Sequence, residues 1–143
     1  MSLFPFFYTC ITNNSDLAKC VSNAQFVDGP ALSVLVIARD LIHKGWKLAA
    51  NPFYGNLKPN QQPYRTLVLS SEVENEIVKV EEHSLFLIES AIVAYSECKV
   101  IRKPGDMAEE IDMDYKYMDF ALMEETLKSC GILRESLKRT AGR

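Results

Sequence analysis

Most of the patterns that give a quick functional reading are missing from this chain of 143 residues. There is no G-x-G-x-x-G turn, no phosphate loop, no G-x-S-x-G elbow and no H-E-x-x-H pair, which removes the sequence case for a dinucleotide fold, a P-loop NTPase, an α/β-hydrolase and a zinc protease. The two histidines, His43 and His83, have no partner at ligand spacing, and the four cysteines, Cys10, Cys20, Cys98 and Cys130, form no C-x-x-C pair. The expectation is therefore reduced thiols in a cytoplasmic protein, with no metal and no cofactor. No apolar run nears the roughly 18 residues of a membrane-spanning helix. Residues 3–11 are apolar but contain Pro5 and lack a basic flank and a small-residue cleavage site, so they read as a buried strand rather than a leader. Charge excess is also small: 16 Lys+Arg against 19 Asp+Glu give a net charge of −3, too mild for a protein that binds nucleic acid or a membrane surface.

What is present is an ordinary globular composition, 48% hydrophobic and 24% charged. It fits a single α/β domain over residues 1–133 followed by a basic tail, residues 134–143, expected to fray. Charge is uneven along the chain. Residues 1–71 hold six basic and three acidic side chains, residues 72–125 hold five and fifteen, and residues 126–143 hold five and one. An anion site belongs in the first half; the acidic stretch reads as the solvated face of two helices.

Apolar runs alternate with helical patterns, the arrangement of a layered α/β fold. Strands are expected at residues 4–11, 25–27, 46–50 and 65–70. Helices are expected at residues 16–21, 30–44, 83–98 and 114–130. The helix over 30–44 is the clearest, with Val34, Leu35, Ala38, Leu41 and Ile42 at three- and four-residue spacing and Gly45 as a left-handed cap. Asp28-Gly29-Pro30 reads as its start, with aspartate capping and proline in the first turn. Ser71 and Glu74 fit a capping box, although residues 77–80 suit a strand equally well. The predicted fold is a small, mostly parallel sheet of about four strands with helices on both faces, a Rossmann-like three-layer sandwich. In such sheets ligands sit beyond the carboxyl ends of the strands.

Two loops leave carboxyl ends in this reading. The first is Thr12-Asn13-Asn14-Ser15, whose asparagines can offer amides to a ligand or simply turn and cap the chain. The second, residues 51–64, packs three prolines, three asparagines and one glycine into fourteen residues. That composition excludes regular structure and specifies a long, stiff loop, and loops of this length are commonly functional. The candidate ligand-binding residues are accordingly Asn13, Asn14, Asn51, Gly55, Lys58, Asn60 and Tyr64. Lys58 is the only charge in its loop and suits a phosphate or carboxylate. No catalytic residue is assigned. The cluster Tyr115, Tyr117, Met118, Phe120 and Met123 is denser than one helix face can bury, which leaves apolar surface for a dimer or partner.

Three segments together resemble the GrdX family: Thr12-Asn13-Asn14, His43-Lys44-Gly45 and Asn51-Pro52-x-x-Gly55-x-x-Lys58-Pro59-Asn60-x-x-Pro63-Tyr64. The chain differs from the family pattern at Ser15, where a proline is usual, and at Phe53-Tyr54, where smaller residues are usual. The resemblance implies a cytoplasmic accessory protein encoded with glycine reductase genes in amino-acid-fermenting anaerobes. It carries over no catalytic residue. The expected function is binding of a small anion, or of a component of a glycine-reductase-type system, between the two loops. The alternatives are a small enzyme acting on an amino-acid or acyl-phosphate-like substrate, and a structural or dimerisation module.

Overall fold

The computed structural model describes residues 6–54, 58, 62–72, 78–99 and 103–138. Strand β1 (Phe6–Thr12) leads through the short helix α1 (Ser15–Ala18) to β2 (Ala24–Phe26), and α2 (Ala31–His43) returns to β3 (Lys47–Leu48). Residues 51–64 then connect β3 to β4 (Thr66–Glu72), which is followed by α3 (Glu82–Glu97) and α4 (Glu109–Ser129).

The strands form one sheet in the order β2-β1-β4-β3. Only β1 and β2 run parallel; β4 is antiparallel to both β1 and β3. The sheet is therefore mixed, which corrects the mostly parallel, Rossmann-like expectation. The physical reason lies in the connections. A parallel neighbour needs a crossover, and the β1-α1-β2 segment has one, but among the described residues between β3 and β4 there is no helix, and the two strands pair antiparallel.

Direction decides where the two loops go. Thr12 at the end of β1 sits opposite Thr66 at the start of β4. The turn leaving β1 and the loop entering β4 thus meet, although β1 and β3 are not neighbours.

Alternation along the central strands splits the core into two layers. Ile11, Leu67 and Leu69 face α2 and α3, packing with Val34, Leu35, Ile42 and Ile88. Cys10 and Val68 face the other way, against Leu17 of α1 and Phe120, Met123 and Leu127 of α4. Helices cover both faces, as expected. Fully burying each of the larger aliphatic side chains contributes about 1.5–3 kcal/mol.

Local signals act largely as read. Gly45 takes φ 102° after α2, and Gly131 takes φ 73° after α4, conformations that residues with a Cβ rarely adopt. Two caps differ. Pro30 itself stands at the N-cap of α2 without a side-chain hydrogen bond, and Asp28 is exposed. Ser71 belongs to β4 rather than to a helix start, and Val78 to Glu81 are neither helix nor strand. Helix α4 starts five residues earlier than expected, in an acidic first turn of Glu109, Glu110 and Asp112 that suits the positive end of the helix dipole.

Candidate functional site

The meeting of the two loops is a polar junction held by buried side chains. Asn13 is central to it: its amide nitrogen donates to the carbonyls of Gly29 and Pro63, each at 3.0 Å, and its oxygen accepts the backbone N–H of Arg65 at 2.9 Å. Asn14 caps α1 by accepting from the Leu17 N–H at 3.2 Å. Its amide nitrogen donates to the Lys116 carbonyl and to Asp119 Oδ2, at 2.9 and 3.1 Å. Both asparagine amides thus point inward and tie the first turn to the loop and to α4.

Asp119 closes the junction from α4. Its carboxylate is 5% exposed and accepts from Tyr54 Oη at 2.5 Å, from Thr66 Oγ1 at 2.7 Å and from Asn14. Thr66 Oγ1 also pairs with Thr12 Oγ1 at 2.8 Å, and Tyr54 Oη accepts the backbone N–H of Thr66 at 2.6 Å. Burial raises the Asp119 pKa above the ordinary carboxylate value, against the opposing pull of the hydrogen bonds from Tyr54, Thr66 and Asn14 and of the nearby Arg65 charge. Burial likewise raises the pKa of Tyr54, whose hydroxyl lies against the Asp119 charge.

Arg65 is the second buried charge, 1% exposed. Its terminal nitrogens donate to the Gln62 side-chain oxygen and to the Pro52 carbonyl, so a single guanidinium gathers both ends of the proline-rich loop. The guanidinium carbon lies 3.8 Å from the centre of the Tyr54 ring and 5.6 Å from that of Tyr95, in cation–π contact. Among the described residues no carboxylate lies within ion-pairing distance of Arg65, and Arg65 Nε and Tyr95 Oη are buried without a hydrogen-bond partner.

Tyr64 donates its hydroxyl to Asp112, which is also paired with Lys116 at 3.4 Å, and Lys116 Nζ lies 5.8 Å from the Tyr64 ring centre. Between loop and helix runs a crevice lined by Gln62, Pro63, Tyr64, Tyr115, Asp119 and Leu122. Its volume of about 10 Å³ admits no more than a water molecule. Pockets that enclose small organic ligands run from roughly 300 Å³ upward.

The sequence-derived candidates therefore divide. Asn13, Asn14 and Tyr64 are buried and converge on this junction. Asn51 is exposed and accepts the Phe53 N–H at 2.8 Å in a local turn, and Lys58 is exposed. Gly55 and Asn60 lie outside the described residues. Sequence reasoning missed Asp119 and Arg65. Asp119 carries a readable signal, because it adjoins Phe120 and precedes Met123 and Leu127 by four and eight residues, a position on the core side of α4.

All four cysteines are free. Burial pushes the Cys10 and Cys20 thiols above the usual range, which makes them poor nucleophiles. Among the described residues no group of three His, Cys, Asp or Glu is placed to hold a metal ion, and no helix is long and apolar enough to cross a membrane.

No curated protein and no solved structure matches the chain. The family model described as GrdX-like protein matches residues 9–128, from inside β1 to the last turn of α4, and on that coverage the chain belongs to the GrdX-like family.

Proposed function

We propose that this chain is a non-catalytic accessory protein of glycine-reductase-type amino-acid metabolism that works by docking a partner where the proline-rich loop meets α4. Family membership supports the metabolic setting. The observation that carries the docking reading is the use of Asp119. It is the carboxylate that lines the crevice, yet both its oxygens are occupied by Tyr54, Thr66 and Asn14. A general acid or base needs an oxygen within reach of substrate, and this one is committed to holding the loops together. The small crevice volume favours surface recognition over capture of a small ligand.

In this reading Asn13, Asn14 and Tyr64 shape the surface from beneath, while exposed Asn51 and Lys58 meet the partner or its anionic group. Four free thiols fit a reducing, cytoplasmic compartment. The test is calorimetric titration of the purified chain with each purified component of a glycine-reductase-type system. One component should bind, and Asn51→Ala and Lys58→Ala should weaken it with unchanged thermal stability. Binding unaltered in both variants, or turnover of an amino-acid or acyl-phosphate substrate by the chain alone, counts against the reading.

A further inference from the structure

Helix α4 has two apolar faces, and one of them enters the core. Phe120, Met123 and Leu127 enter the core beneath the sheet. On the outer side Ile111, Met118 and Leu122 are 40%, 39% and 40% exposed, and half-buried Tyr115 falls between them. The spacing 111, 115, 118, 122 alternates four and three, the seam of a helix that packs along another helix. At 100° per residue these four positions fall within about 60° of arc, centred roughly 140° from the core-facing three. The arrangement is a stripe rather than scattered exposure.

The stripe has unequal borders. On one side Tyr115 and Leu122 continue into the crevice against Pro63 and Tyr64, which form a wall. On the other side stand exposed Glu110 and Glu125, within the segment 72–125 that carries fifteen acidic and five basic residues. Two copies of the chain pairing antiparallel through this stripe would set Glu110 of each against Glu125 of the other, so that mode of self-association is opposed by like charge.

Resting on the docking reading above, we infer that the partner presents a basic amphipathic helix, seated along α4 with its apolar face on the Ile111 to Leu122 stripe and its Lys/Arg flank toward Glu110 and Glu125. This is helix-in-groove recognition with a proline-stiffened wall on one side. The stripe is about 16 Å long at 1.5 Å per residue, so the contact is of the small, transient class and depends on salt.

The probe is a fluorescein-labelled synthetic helix with leucines at four-three spacing and lysine flanks, titrated into the full chain by anisotropy beside a control peptide with glutamate flanks. The basic peptide should bind at least about tenfold more tightly than the acidic one, and several-fold more weakly when salt rises from about 50 to 300 mM. Met118→Asp should cost at least about tenfold, and Glu110→Lys with Glu125→Lys should shift preference toward the acidic peptide. All three positions are exposed, and unchanged circular dichroism will verify the fold. Equal binding of the two peptides, or binding indifferent to Met118→Asp, overturns the inference. So does a dimer in sedimentation equilibrium that Met118→Asp dissolves, because it assigns the stripe to a second copy. If a reductase component binds the wild type and the Met118→Asp variant equally, this inference fails while the accessory role stands. If the basic peptide binds as described but no reductase component does, the groove stands and the metabolic assignment fails.

Discussion

Tyr54 stands between two buried charges: its hydroxyl donates to Asp119 at 2.5 Å, and the face of its ring carries the Arg65 guanidinium carbon at 3.8 Å. Anion and cation share one neighbour without touching. The tyrosine thereby bridges two ions that are each buried, with its hydroxyl on the anion and its ring on the cation.

Two tyrosines near Arg65 should respond oppositely to loss of their hydroxyl. Tyr54→Phe removes a donor to a buried carboxylate and leaves the Thr66 N–H without its acceptor, an expected loss of about 3 kcal/mol in urea unfolding. Tyr95→Phe removes a buried hydroxyl that has no partner, so the variant should match or exceed wild-type stability. Equal losses in the two variants would contradict the hydrogen-bond pattern.

Asp119 should make stability fall with rising pH. Its folded-state pKa is raised, so its contribution is fully present below the unfolded value of about 3.9 and is lost as pH climbs through the folded value. Urea midpoints for wild type and Asp119→Asn, measured from acid to neutral pH, should differ by an amount that falls with pH and then levels off. A difference constant with pH would show that the carboxylate titrates alike in both states.

Gly45→Ala tests the turn after α2. A new Cβ would meet Val78 Cγ1 at 3.6 Å, an ordinary contact, so the cost is conformational, from φ 102°. The expected loss is about 1–2 kcal/mol by thermal or chemical unfolding. A variant as stable as wild type would mean that the turn relaxes freely.

The loop should separate structural from surface residues. Asn51→Ala and Lys58→Ala, at exposed positions, should shift stability by less than about 0.5 kcal/mol. Arg65→Ala strips the donors from the Pro52 carbonyl and the Gln62 side chain and should cost about 3 kcal/mol or more. Limited proteolysis within residues 51–64 gives a second readout, with faster cutting expected only in the Arg65 variant.

Legibility in the sequence follows what each signal physically encodes. Helical period marked α2, and glycine chemistry marked its end, because both are local. The proline-rich loop and the turn at Asn13 and Asn14 were readable for the same reason, but their meeting was expected only through neighbouring β1 and β3, and it comes about instead through the β1–β4 pair. Strand direction was not readable from apolar runs, since a strand buried on both faces looks alike in a parallel and an antiparallel neighbour. The lack of a helical pattern in residues 51–64 of the sequence was the available clue. Asp119 and Arg65 escaped notice because their roles depend on partners 105 and 13 residues away, Asn14 and Pro52.

The sheet order also fixes a sequence of events in synthesis. Asn14, Tyr54 and Thr66 leave the ribosome well before their shared acceptor, Asp119, and the central β1–β4 pair can align while all three side chains still lack it. A nascent chain that ends short of α4 keeps those donors on water and leaves Cys10 and Val68 uncovered on one face of the sheet. Arrival of the last helix therefore seals the second core layer, fixes the loop and creates the outer stripe in one step. A stop codon or cleavage upstream of residue 119 removes Asp119, Leu122 and the Phe120, Met123 and Leu127 side of the core together.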